Sequence, residues 1–223
     1  MATRKVLLLR RVSILAALVF LAAILVSASP GLPAARRAQV AYVKGEVKID
    51  GAAADLGVEL PSLVLVETGV GARVDLVFGG GNVLSVGQNT RARFDFASPT
   101  INIKLERGGV TSVLKKLEKL VDKVPFNVST QLAVAAVRGT SFCVWCDADS
   151  TYVCACNGRV GIEDAEHGNR LDLAAAHHVA RVYSRQEGKY RVSEAGLLHH
   201  DDSTVESAAK TIGATIDWTK IDG

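Results

Sequence analysis

From Val40 onward, hydrophobic residues recur at alternate positions in short runs, and glycine or asparagine interrupts nearly every run. A period of two puts successive side chains on opposite faces of an extended chain, so the pattern predicts strands over 40–49, 63–66, 72–78, 83–86, 91–96 and 101–106. Phe126, Val128 and Thr130 alternate again, and Val134–Val137 run apolar. Two β-rich runs, Ser141–Cys146 and Thr151–Asn157, flank the turn-forming quartet Asp147-Ala148-Asp149-Ser150 and read as a hairpin. Strands this short, separated by glycine, point to a mainly β domain that is rolled or solenoid-like, with a sandwich as the alternative.

Two segments leave this period. Val113, Leu114, Leu117, Leu120, Val121 and Val124 fall at three- and four-residue spacing among lysines, which predicts an amphipathic helix ended by Pro125 and suited to cap an open end of the β core. Ser203-Thr204-Val205-Glu206 has the form of a capping box, so a short helix is expected over 203–212, with Gly213 in the left-handed position after it.

The opening of the chain differs in kind. Arg4, Lys5, Arg10 and Arg11 precede an uncharged apolar run, Val12–Ala28, that ends in small residues. This composition is that of an export signal, either cleaved or retained as a membrane anchor. The expected organisation is a signal peptide or anchor over 1–28, a Pro/Ala-rich linker over 29–38, a β domain over 39–163, and an α/β appendage over 164–223. A length of 223 residues with 48% hydrophobic content suffices for one core and such an appendage. Four of the 26 basic residues lie before Ala28, so the formal charge of +3 belongs to the leader and the rest nearly balances the 23 acidic residues. With 5% aromatic residues and no basic-aromatic interleaving, nucleic acid is not an expected partner, and membrane contact is expected only through the N-terminal segment.

Val137-Arg138-Gly139-Thr140, then Phe142, then Gly158-Arg159-Val160 across the hairpin form the most specific motif of the chain. Upstream stand Gly45-Glu46-Val47, Glu67-Thr68-Gly69 and Gly87-Gln88-Asn89-Thr90, in that order. Together these resemble the periplasmic domain of the FecR family over residues 40–163. The resemblance implies an exported β domain in the periplasm or cell envelope, acting as a noncatalytic binding or assembly module for an envelope protein, a cell-wall component or a small molecule. A membrane-anchored envelope sensor is a further reading. In the family's known regulators a cytoplasmic anti-sigma segment precedes the transmembrane helix. Only the residues up to Arg11 precede the apolar run here, so a sigma-factor regulator is not expected. Val137, Arg138, Gly139, Thr140, Phe142, Gly158 and Val160 read as structural, glycine supplying room for the backbone and Arg and Thr satisfying local polar groups.

All four cysteines lie in the hairpin. A four-residue turn sets Cys146 opposite Thr151 and Cys143 opposite Cys154, with Cys156 along the same face, so three thiols share one face. Phe142, Val144, Val153 and Ala155 take the core face, and Cys146 has the opposite parity from the other thiols. Three readings follow. Export favours disulfides, with Cys143–Cys154 the candidate bridge. Cys143, Cys146, Cys154 and Cys156 offer four soft ligands for zinc or iron, with His177, His178, His199 and His200 as further donors. The thiols are otherwise reduced and structural. The histidine pairs also read as alternate residues of a strand beginning at His177 and as a solvated loop at His199–Asp202. No nucleophile motif or phosphate loop occurs, so no enzyme is expected beyond thiol-disulfide exchange at the hairpin.

Overall fold

The computed structural model describes residues 37–98, 100–114, 126–137, 140–166 and 168–221. The leader, nearly all of the linker, most of the helix expected after Val113, and Arg138 and Gly139 lie outside these residues. Sixteen strands are described. They are β1 (Ala38–Lys44), β2 (Val47–Ile49), β3 (Ala52–Ala53), β4 (Glu59–Leu60), β5 (Leu63–Thr68), β6 (Arg73–Phe78), β7 (Asn82–Val86) and β8 (Arg91–Asp95). Then follow β9 (Ile101–Val113), β10 (Phe126–Ser129), β11 (Ala133–Val137), β12 (Ser141–Cys146), β13 (Ser150–Asp164), β14 (Arg170–Ala175), β15 (Val179–Gln186) and β16 (Lys189–Ala195), and the helix α1 (Asp202–Thr211).

Hydrogen bonding sorts the strands into two sheets that share two members. The first runs β4-β1-β6-β7-β9-β12-β13-β15-β16, and the second runs β3-β2-β5-β8-β9-β10-β11-β13-β14. All pairs are antiparallel except β9 with β10. β9 and β13 pass from one sheet to the other, so β9, β10, β11, β13 and β12 close a ring. The fold is therefore a rolled sandwich, which unites the two architectures expected from the strand pattern. Each crossing strand bends at a glycine in the left-handed region, Gly108 (φ 77°) and Gly158 (φ 127°). At Gly108 a Cβ would also collide with Thr90. Gly158 of the sequence motif thus marks where β13 changes sheets.

The main core lies between the sheets. Val40, Leu76, Val86, Phe142 and Val144 face Val66, Phe94, Ile103, Val128 and Val137 across it. A row of rings, Phe94, Phe96, Phe78, Phe126 and Phe142, runs through it with neighbouring centroids 5.8–6.1 Å apart. These spacings suit offset and tilted aromatic contacts.

Three local expectations are corrected. β9 and β13 extend well past 106 and 157, because each continues into the second pairing partner set. Val113 ends β9 rather than opening a helix, since its backbone pairs with Ser141 and Val83. α1 begins one residue early, because Asp201 and not Ser203 is its N-cap: the Asp201 carboxylate accepts from the Thr204 amide at 2.8 Å. Glu206 is free for another task and accepts from Trp218 Nε1 at 3.1 Å. Gly213 takes the left-handed conformation, φ 67°.

A second, smaller apolar cluster covers the outer face of the first sheet. Val83, Val113, Cys143, Tyr152, Cys154, Cys156 and Ala180 lie beneath Val205, Ala208 and Ala209 of α1. Polar contacts hold the helix from the side: Thr211 Oγ1 donates to the buried Asp75 carboxylate at 2.8 Å, and Arg73, paired with Asp75, donates to Ser207 Oγ at 2.8 Å. After Asp164 the chain stays hydrogen-bonded to the β domain, since β14 and β15 both pair with β13. Among the described residues no helix is long and apolar enough to cross a membrane.

Candidate metal centre

The β12–β13 hairpin builds the floor of this cluster. Cys146 pairs with Thr151 and Cys143 with Cys154, the register set by the four-residue turn. Pairing then jumps from Phe142–Ala155 to Ser141–Asn157, so Cys156 sits in a bulge. Cys143, Cys154 and Cys156 face outward into the smaller cluster, while Cys146 points into the main core with Phe142 and Val144.

Two histidines reach these thiols from other segments. His178 ends the three-residue turn between β14 and β15, with φ 44°, and its amide donates to Cys156 O at 2.9 Å. This left-handed residue turns its ring inward, leaving the side chain 7% exposed. His200 comes from the segment between β16 and α1 and is also buried.

Cys154, Cys156, His178 and His200 each offer one ligand atom, and the four atoms lie within 4.8 Å of one another. The separations are 3.9 Å for Cys154 Sγ to Cys156 Sγ, 3.3 Å for His178 Nδ1 to His200 Nε2, 3.5 Å for Cys154 Sγ to His178 Nδ1, and 3.2 Å for Cys156 Sγ to His200 Nε2. Zinc–sulfur bonds of about 2.3 Å and zinc–nitrogen bonds of about 2.0–2.1 Å at tetrahedral angles require edges of about 3.8 Å (S–S), 3.3 Å (N–N) and 3.6 Å (S–N). Four of the six donor separations stand at those spacings, one S–N edge short by a few tenths of an ångström, and the remaining two S–N edges lie within 4.8 Å. Two thiolates and two imidazoles suit zinc, and tetrahedral iron by the same ligand chemistry.

Electrostatics favour deprotonated sulfur. The hydrogen bond from Cys156 lowers Cys154 well below an ordinary thiol, with His178 and His200 adding to it against burial. Burial and the neighbouring Cys154 push Cys156 upward, so one thiolate is shared between the two sulfurs. For His200, burial opposes the charged ring, but the Cys143 and Cys154 thiols outweigh it and raise the imidazole to about 10. A cation entering this set would displace the thiol and imidazolium protons, which is the usual coupling of metal binding to proton release.

Of the eight candidate donors, the structure brings these four together. Cys143 stays adjacent, its thiol among the groups that raise His200. Cys146 is excluded by strand parity, and its thiol lies 3.7 Å from Glu106 O. Desolvation raises its pKa. His199 stacks flat on Trp145, centroids 4.7 Å apart, where Gly109 leaves space for the indole. His177 is exposed, with Nε2 2.9 Å from Asp202 Oδ1. All four thiols are free, so the expected Cys143–Cys154 bridge is absent from a pair whose Cys154 sulfur meets His178 and Cys156 instead. The solvated-loop expectation fails at His200, which is buried, and the strand expected from His177 begins at Val179.

The sequence reading missed Asp202, Asn157 and Trp218 as parts of the site. Asp202 Oδ1 lies 2.9 Å from His178 Nε2. Asn157 Nδ2 contacts Ala176, Asp217 and Lys220 carbonyls at 2.7, 3.0 and 2.8 Å, gathering two distant segments. Trp218 packs on His177 and His178, with centroids 4.8 and 5.0 Å away. Their signal was faint: an Asp after His-His, an Asn after Cys-x-Cys, and one of two tryptophans.

Residues 64–161 match the family described as FecR protein. The chain carries a FecR domain. The match holds Cys154 and Cys156, whereas His178 and His200 lie beyond it. No curated protein matches the chain. Among solved structures, a "putative anti-sigma factor" from Parabacteroides distasonis ATCC 8503 is similar at 19% identity and TM-score 0.49, over 59% of this chain and 60% of that one. A second crystal structure of the same description gives 19% identity and TM-score 0.48, over 58% and 59%. The likeness thus spans less than two thirds of that protein.

Proposed function

We propose that this FecR-domain protein is a noncatalytic metal-binding module of the bacterial cell envelope, holding one zinc-class ion through Cys154, Cys156, His178 and His200. The observation that carries the reading is the match between four of the six donor separations and the edges of a tetrahedral S2N2 zinc site. The FecR domain and the composition of the leader support the envelope location. With four protein ligands the ion has no open position for water or substrate, which is the pattern of structural rather than catalytic zinc.

The test is metal content by mass spectrometry on the full chain, purified from its export compartment without chelator. One zinc per chain is expected, lost in Cys154→Ser and Cys156→Ser and kept in Cys146→Ser. Substoichiometric metal in the wild type, or equal loss in all three variants, would sink the reading.

A further inference from the structure

We propose that the ion latches the segment Leu197–Ile221 onto the outer face of the first sheet, with Asp202 as the positioning residue that joins metal to helix. This rests on the metal-binding reading above. The four ligands come from three places: two from β13, one from the β14–β15 turn, and one, His200, from the latched segment itself. Only His200 ties that segment to the ion directly, two residues before α1.

Without the ion the segment is held by a small apolar cluster, by Trp218 against His177 and His178, and by hydrogen bonds from Thr211, Arg73 and Asn157. α1 spans ten residues, below the ~12–15 at which an isolated helix becomes marginal, and its buried residues are Val205, Ala208 and Ala209. Docking also desolvates His200, whose Nδ1 has no hydrogen-bond partner. Such a group is costly to bury. Coordination at Nε2, which otherwise only abuts Cys156 Sγ and His178 Nδ1, offsets that cost with a bond that only the docked segment can make. Occupancy and docking then become one linked equilibrium.

Asp202 carries the second link. Its Oδ1 stands 2.9 Å from His178 Nε2, a hydrogen-bond distance and shorter than the ~3.3 Å edge between N and O ligands of one tetrahedral zinc. The carboxylate therefore serves as acceptor rather than as ligand of a second ion. Accepting from Nε2–H fixes the His178 tautomer whose Nδ1 lone pair faces Cys154 and His200. His177 Nε2 shares the same carboxylate. Because Asp202 is the first residue of α1, the His178 ligand is oriented only when the helix is in place. His200 has no such second partner, so the latch is asymmetric.

The experiment is hydrogen exchange by mass spectrometry on the full chain, zinc-loaded, after chelator dialysis, and after return of one equivalent of zinc. Amides of 202–213 are expected to exchange at least ~10-fold faster in the stripped protein and to recover with zinc, while β5, β8 and β10 in the second sheet hold their protection. Zinc uptake with unchanged exchange in 202–213 would overturn the latch and leave the metal site standing; no uptake would overturn both. In parallel, cobalt(II) titration of Asp202→Asn is expected to show affinity weakened ~10–100-fold with the tetrahedral thiolate–cobalt absorption unaltered in shape, and Asp202→Glu to recover part of it. Wild-type affinity in Asp202→Asn would remove its positioning role. Thr211→Val, which loses the hydrogen bond to Asp75 and a longer one to Ser207 O at the far end of α1, is expected to weaken zinc by up to ~5-fold through the same linkage. A Thr211→Val affinity equal to wild type, together with unchanged exchange, would count against the latch without touching a residue near the ion.

Discussion

The two faces of the β12–β13 hairpin are equally buried and chemically opposite. Inward, Phe142, Val144, Cys146, Val153 and Ala155 join the core between the sheets; outward, Cys143, Tyr152, Cys154 and Cys156 lie under α1 with His178 and His200. Cys146 and Cys154 make the contrast sharp, since both are hidden from solvent and both carry free thiols. Desolvation raises the first, and a hydrogen bond from Cys156 lowers the second. Burial alone therefore does not make a thiol a ligand. What separates them is whether other polar donors converge on the sulfur.

The comparison breaks most severely at the inner face. Phe142→Ala removes the fully buried ring at one end of the aromatic row and should cost about 3–5 kcal/mol in denaturant unfolding, with zinc binding lost only as the fold is lost. On the outer face, Cys154→Ser should leave unfolding of the stripped protein near wild type but weaken zinc by more than ~100-fold in competition titration, exceeding any outer-sphere change. Gly108→Ala, at the bend where β9 changes sheets, forces a left-handed alanine against Thr90 and should destabilise by about 2 kcal/mol or more without a specific effect on metal. Asp201→Ala removes the α1 cap and should cost about 1 kcal/mol of zinc-loaded stability. The smallest effect is expected for His199→Ala, which loses a stack on Trp145 but no ligand: zinc affinity should stay within about twofold, and a larger drop would place His199 in the donor set.

Much of the fold was legible because it is local. The alternation at Ser141–Cys146 and Thr151–Asn157, with a four-residue turn between them, sets the pairing of Cys143 with Cys154 and the parity that separates Cys146. Strand lengths were less legible. β9 and β13 look finished at their first glycine interruption, yet each bends there and continues into another sheet. The cap of α1 was misread because Ser203 and Asp201 both have capping side chains; the carboxylate of Asp201 takes the Thr204 amide.

The amino-acid order by itself determined a mainly β FecR-type domain, which thiols share a face, and the presence of eight candidate donors in three clusters along the chain. Only the tertiary structure decided which four of them meet. His178 reaches the thiols through a left-handed turn residue and His200 through a segment folded back over the sheet, 22–46 residues from its partners along the chain. Strand periodicity carries information over a few residues, because each residue's face depends on its neighbours alone. The meeting of distant side chains depends on how sheets bend and helices dock, and that is settled by packing across the whole domain.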